Sequence, residues 1–381
     1  MKRKVYPPDF WWIYPPNAWR TRLIILAFIL AVAAPDRQAI AYYKIIDLGT
    51  LPGQEVSVAY SINNNGQIVG YTDKHPEPLV PPNPIATLFD PTGGGNNIAL
   101  CEKVSEARSI NDNGQIVGWA YDDSGKRRAT LFDPTGGGQN ITLCGTGSVA
   151  WSINNLGQIV GALGNRATLF DPTGVGNNID LGTLGGTGSE AKSINNLGQI
   201  VGTSTDSLGY RRATLFDPTG SGNNIDLGTL DGKESWAWSL NNLGQIVGQA
   251  EDSSGFFSKA TLFDPTGGGH NIDLGALPDG REISLAYSTN NLGQIVGTAG
   301  RRAVLFDPTG GGNNIDLNTL IDPGIGWRLT YAYSINDNSW IVGQGINPDG
   351  YERAYLLIPE PASMALLGIG ILLATKKHKK H

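Results

Sequence analysis

Residues 154–161 read NNLGQIVG, and the same eight residues recur at 195–202, 241–248 and 290–297. Looser copies stand at 63–70 (NNNGQIVG), 111–118 (NDNGQIVG) and 336–343 (NDNSWIVG). The glycine that closes each copy falls at 70, 118, 161, 202, 248, 297 and 343, so the spacings are 48, 43, 41, 46, 49 and 46. Repeats in the forties built from Val, Ile, Leu and Phe, with no helical periodicity, point to a propeller of β-blades.

Each unit parses into four short strands: A-x-S-I-N, Q-I-V-G, an A-T-L-F-D type segment and I-D-L. Asn, Gly, Asp and Pro punctuate the joins, as turn chemistry demands. N-x-G between the first two strands suits a hairpin whose Gly takes positive φ. D-P-T-G-x-G-N-N joins the third and fourth, with Pro where a turn wants a fixed φ. Ser339 stands where the other copies have the turn Gly, so that hairpin is expected to be strained or of another type.

Strand counting sets the topology. The first I-D-L copy, Ile46-Asp47-Leu48, precedes the first A-x-S-I-N, while the last unit, 332–358, supplies only three strands. Pairing the N-terminal strand with the C-terminal three closes the ring and removes its open edge. The expected fold is all-β: a seven-bladed propeller over residues 42–358, with four antiparallel strands per blade.

The unit S-I-N-x-x-G-Q-I-V-G … A-T-L-F … I-D-L-G-T-L resembles the bacterial extracellular HAF repeat across the whole middle of the chain. That family is named for a His-Ala-Phe on the third strand. Here Arg128, Arg166, Arg212 and Lys259 precede Ala-Thr instead, and the role of the His does not carry over. The layout is also similar to Kelch repeats, without their double glycine or fourth-strand Trp, which is an analogy of architecture alone.

The two ends read as addresses. Residues 23–34 (LIILAFILAVAA) form an apolar run after Arg20 and Arg22 and are followed by Ala39-Ile40-Ala41. This is the pattern of a secretory signal, 1–41, cleaved after Ala41; the competing reading is an uncleaved membrane anchor. At the other end, Pro359-Glu360-Pro361 leads into an apolar stretch, Ala362–Thr375, and a Lys-rich tail. Fourteen helical residues at ~1.5 Å rise span about 21 Å, short for a ~30 Å hydrocarbon core. Residues 359–381 resemble the PEP-CTERM sorting signal in all three of its parts. The resemblance implies a Gram-negative source, recognition by an exosortase, transient anchoring in the inner membrane, removal of the tail, and association with the cell surface or exopolysaccharide matrix.

Composition narrows the function. The 381 residues are 40% hydrophobic and 16% charged, enough for a sizeable core. Between the two ends, 18 basic residues face 31 acidic ones, which argues against nucleic acid as a partner. Cys101 and Cys144 occupy equivalent places in adjacent repeats, a separation that disfavours a bridge. The four histidines (His75, His270, His378, His381) and the absence of CxxC assemble no zinc cluster. No nucleophile motif or isolated carboxylate pair breaks the repeat, so an enzyme acting on matrix polysaccharide is the minority reading.

In such a blade the N-x-x-G and D-P-T-G turns share one face, which is nearly uniform. The variable loops, from Ala162–Asn165 to the Pro-rich 71–85, share the other, and that face is where binding is expected. Three constellations are candidate sites. The x of A-x-S reads Tyr60, Arg108, Trp151, Lys192, Trp238, Tyr287 and Tyr333, a set suited to a saccharide by stacking and hydrogen bonding, or to packing near the axis. The basic residues opening the third strands, among them Arg302 and Arg353, suit acidic sugars or pairing with neighbouring carboxylates. Asp-rich loops allow calcium, although turn formation accounts for the same residues. The function expected is binding or scaffolding in an extracellular matrix, with exopolysaccharide or a surface protein as partner.

Overall fold

The computed structural model describes residues 43–74, 82–255, 258–278 and 283–360. The cleavage site at Ala39 and Ala41, His75, and Pro361 with the tail lie outside these residues. Among the described residues, 28 strands form seven four-stranded antiparallel sheets. Blade one comprises Val56–Ile62, Ile68–Asp73, Ile85–Phe89 and Ile98–Ala99. The next five repeat that order. Blade seven takes Arg328–Ile335, Ile341–Ile346 and Glu352–Pro359 from the C-terminal side and Tyr43–Asp47 from the N-terminal side. The register runs from Tyr43 opposite Pro359 to Asp47 opposite Tyr355. The ring is closed as the strand count requires.

In the other blades the D-P-T-G turn bridges the end of the third strand and the start of the fourth. The chain therefore enters at Tyr43 and leaves at Pro359 on the uniform face. Pro359 belongs to the last strand, one residue beyond the boundary expected from the repeat, and Glu360 is exposed.

The first strands adjoin one another around the ring. In every blade the pairing of first and second strands slips at A-x-S, as between Ala59 and Ser61 or Ala191 and Ser193. This β-bulge turns the carbonyl of the preceding residue onto the glycine of I-V-G. A Cβ on Gly70 would sit 1.9 Å from the Val58 carbonyl oxygen, and one on Gly202 would sit 2.0 Å from that of Glu190. The motif's last glycine is there for close approach of two backbones. Its turn glycine has a different reason, the left-handed φ of +79° at Gly66. Ser339 takes the same region, φ 61°, so its hairpin keeps the shape of the others and is strained.

The core lies between blades. Leu181, Ala167 and Val160 of blade three pack on Ala191, Ile194, Ile200 and Phe216 of blade four. The leucine of each I-D-L copy is fully buried, as at Leu48, Leu181 and Leu317, each contributing about 1.5–3 kcal/mol by burial. Asn97 adds a polar stitch: its Oδ1 accepts from Asp90 N at 2.7 Å, and its Nδ2 donates to Leu48 O at 2.9 Å in blade seven. Cys101 and Cys144 are both free thiols.

Candidate functional site

The central channel is lined by the seven innermost strands, whose A-x-S positions the bulge aims inward together. Tyr60, Arg108, Trp151, Lys192, Trp238, Tyr287 and Tyr333 thus meet in one belt. The Arg108 guanidinium lies 4.2 Å from the Tyr60 ring centre and 4.8 Å from that of Trp151. Lys192 Nζ lies 4.0 Å from the Trp151 ring and 5.5 Å from the Trp238 ring. Tyr333 sits 5.4 Å from Tyr60 and 5.3 Å from Tyr287. Each cation has a carboxylate two residues earlier on its own strand: Glu106 for Arg108, and Glu190 at 2.5 Å for Lys192.

Burial pushes the Lys192 pKa down, against the pull of Glu190, and pushes those of Tyr60, Tyr287 and Tyr333 up. Arg108 lies between the Tyr60 and Trp151 rings and Lys192 between those of Trp151 and Trp238, so these three rings already have a cation against them. Three buried donors remain without a partner: Trp151 Nε1, Trp238 Nε1 and Arg108 Nε.

The uniform face, where the sequence places only turns, holds the mouth of the channel, a cavity of about 200 Å³. Three closed circles of hydrogen bonds build it. In the innermost, Ser61 Oγ accepts from Ile110 N at 3.3 Å and Ser334 Oγ from Ile62 N at 3.4 Å. Above it, each first Asn donates through Nδ2 to the carbonyl of the next: Asn63 to Asn111 at 2.9 Å, Asn154 to Asn195 at 2.9 Å, and Asn336 back to Asn63 at 2.9 Å. At the rim, the second Asn or Asp accepts through Oδ1 from the backbone N–H of its neighbour, as Asp112 does from Asn64 at 2.8 Å. The circle ends where Asn64 accepts from Asp337 N at 2.9 Å.

Sequence reasoning assigned these asparagines to turns, and they do form them: Asn63 Oδ1 accepts from Asn65 N and Gln67 N. Their second role was missed because it needs a neighbour one blade away. The repeated NN doublet was the only signal.

Around this mouth, Asn65, Asn113 and Asn338 donate to carbonyls of the following blade. The equivalent places in blades three to six hold exposed leucines, Leu156, Leu197, Leu243 and Leu292.

On the opposite face the basic residues opening the third strands are mostly paired. Arg128 meets Asp122 at 2.7 Å, while Arg166, Arg212 and Arg302 meet Asp180, Asp226 and Asp316, each at 3.0 Å. Asp122 also accepts from Ser124 and Lys126, so its oxygens are engaged within the loop. Among the described residues no three His, Cys, Asp or Glu side chains converge on a point. Aromatic side chains do stand out here. Tyr121 is 38% exposed and lies 5.5 Å from Trp119, over which Arg127 sits at 5.9 Å. Tyr351 is 44% exposed with Arg353 at 4.9 Å, and Lys233 lies 5.3 Å from Tyr210.

No family model matches the chain, and no curated protein matches it. Solved structures do. The chain is a seven-bladed propeller. It is similar to the extracellular domain of a B. thetaiotaomicron protein assigned as a one-component system, at 12% identity and TM-score 0.50, over 82% of this chain and 39% of that one. A Xanthomonas campestris gluconolactonase aligns at 11% identity and TM-score 0.43, over 85% and 99% of the two chains. A streptogramin B lyase aligns at 13% and 0.38, over 85% and 90%. At these identities the likeness concerns the fold alone.

Proposed function

We propose that the propeller is an exported binding or scaffold module of the cell surface or extracellular matrix, engaging exopolysaccharide or a partner protein through its variable-loop face. The observation that carries this reading is the set of aromatic side chains with adjacent cations on that face. Tyr121 stands opposite Arg127 across neighbouring strands of blade two, Tyr210 of blade four lies beside Lys233 of blade five, and Tyr351 lies beside Arg353 in blade seven. Aromatic planes beside charged donors are the chemistry that grips sugar rings at several points along a polymer.

The ends of the sequence support the address. A signal over 1–41 and a PEP-CTERM-like tail over 359–381 imply export, handling by exosortase-type machinery, and transient anchoring. Terminal mass spectrometry on the mature protein tests this, with Tyr42 as the expected first residue and the Lys tail absent. Binding is tested by retention of exopolysaccharide on the immobilised protein against a variant carrying Tyr121→Ala, Tyr210→Ala and Tyr351→Ala. Retention of intact polymer that falls in the variant is expected. Equal retention by both removes the reading, and a polymer shortened on contact replaces it with an enzyme.

A further inference from the structure

The channel mouth is polarised. Asp112 in blade two and Asp337 in blade seven flank Asn64 of blade one, whose single Nδ2 donates to both carboxylates, at 3.1 Å and 3.2 Å. Asn155 Nδ2 donates to Asp112 at 2.9 Å and Asn291 Nδ2 to Asp337 at 2.8 Å. Only neutral amides thus face the two negative charges, and no Lys or Arg lines the cavity. Across the ring from blade one stand blades four and five. There Asn196 and Asn242 use Oδ1 to accept from Asn155 N and Asn196 N. Their Nδ2 groups meet no protein acceptor among the described residues. One side of the mouth therefore lacks a cation, and the other offers donors without acceptors. Leu197 and Leu243, exposed beside those donors, give that side an apolar lip.

We infer that this mouth is a second binding site, on the face opposite the variable loops, for a sugar unit that carries a primary ammonium group. The ammonium lies against the carboxylates of Asp112 and Asp337 on the cavity side of the Asn64 amide, ring or hydroxyl oxygens accept from Asn196 and Asn242, and the C–H face of the ring rests on the leucines. At about 200 Å³ the cavity is below the ~300–1,000 Å³ of pockets for drug-sized ligands. It takes one sugar ring, such as the end of a chain, rather than a longer segment. A lysine side chain matches the carboxylates equally well but brings nothing for Asn196 and Asn242 to donate to, which is why the amino sugar is favoured.

The test is ligand-observed NMR on the full chain with glucosamine, glucose, N-acetylglucosamine and lysine. It is repeated with an Asp112→Asn, Asp337→Asn double variant. Asn already occupies the equivalent place in the other five blades, so the variant keeps the rim hydrogen bonds to backbone N–H groups, and an unchanged Tm confirms the fold. The expected result is binding of glucosamine at least tenfold tighter than the other three, with the preference lost in the double variant. Equal affinity for glucose, lysine as strong as glucosamine, a preference that survives the double substitution, or no binding at all each overturns the assignment. Because the variable loops play no part, this outcome is independent of exopolysaccharide retention by the aromatic face.

Discussion

Asn336 donates its side-chain amide to the backbone carbonyl of Asn63 at 2.9 Å, across 273 residues of sequence. This bond is the seventh of a circle, and its geometry matches the 2.9 Å link from Asn154 to Asn195 inside the repeat. The closing seam is therefore held by the same polar device as every other seam. Asn154 also donates to Gln158 Oε1 and accepts from Leu156 N and Gln158 N. Replacing Asn154 or Asn336 with Ala strands buried backbone groups and is expected to cost about 1–3 kcal/mol each. Equilibrium denaturation of the two variants checks this. A silent Asn336→Ala beside a destabilised Asn154→Ala would show that closure rests on the outer strand alone.

The glycine of I-V-G gives the sharpest steric prediction. A methyl at Gly202 meets the Glu190 carbonyl at 2.0 Å, with Lys192 N at 2.9 Å and Ala191 Cα at 3.0 Å, all backbone. No rotamer relieves such a contact. Gly202→Ala should cost about 3 kcal/mol or more, as overpacking against a fixed wall does. Gly95 has positive φ but nothing within 4 Å, so Gly95→Ala should show only the smaller backbone penalty. Thermal unfolding of the pair separates the two causes.

The contrast between these glycines also marks how far the sequence can be read. Blade count, strand order and closure were legible because period, turn residues and strand composition are local, and the displaced Ile46-Asp47-Leu48 fixed the seam. What was illegible depends on neighbours around the ring. A sequence shows Asn154 beside Gly157 and suggests a turn; it does not show that Asn195, one blade away, turns its carbonyl to meet it. The same holds for the belt. Seven residues at one motif position were recognisable, but the placement of Arg108 between Tyr60 and Trp151 arises only when three blades converge. The mouth was assigned no role because its repetition read as structure, whereas the two departures from repetition, Asp112 and Asp337, are what polarise it.

Ser339 tests strain against hydrogen bonding. Its left-handed φ of 61° costs about 1–2 kcal/mol, while its Oγ donates to the buried Gln294 Oε1 at 2.8 Å. Gln294 Oε1 also accepts from Asn290 Nδ2 at 2.6 Å, so it stays satisfied without Ser339. Ser339→Gly should therefore fall within about 0.5 kcal/mol of the parent, relief of strain offsetting the lost bond and the added chain entropy. Ser339→Ala loses the bond and keeps the strain, and should cost about 1 kcal/mol. The expected order of Tm is Gly equal to or above Ser, with Ala lowest.

The D-P-T-G turns predict acid sensitivity. The Thr92 hydroxyl, 2.6 Å from Asp90 Oδ1, with the Thr92 N–H, lowers the Asp90 pKa from 3.8 to about 2. Asp133, Asp171, Asp217 and Asp264 are lowered by the same pair of donors from their own Thr. A carboxylate with a depressed folded-state pKa contributes stability above its unfolded value and loses it as pH falls through the folded one. Thermal stability should be flat above pH ~4 and decline towards pH ~2. Carboxyl-carbon NMR titration of Thr92→Val should move the Asp90 midpoint back towards 3.8, and an unmoved midpoint would separate the shift from the hydroxyl.

The belt predicts a coupling. Lys192 Nζ lies 2.5 Å from Glu190 and 4.0 Å from the Trp151 ring, and burial opposes its charge. Lys192→Met keeps the length of the chain and its packing on the two tryptophans but leaves Glu190 without its cation. Glu190 is half-exposed, so water compensates in part and the single substitution should cost about 1 kcal/mol. Glu190→Gln alone leaves a buried ammonium with its ring contacts only, and should cost more. With both charges gone there is neither a buried ammonium to desolvate nor a carboxylate left without its cation, so the double variant should recover to the parent or above it. A double-mutant cycle read by denaturation measures this. A coupling energy near zero would mean that the ring contacts alone hold Lys192 in the channel and that the carboxylate is incidental.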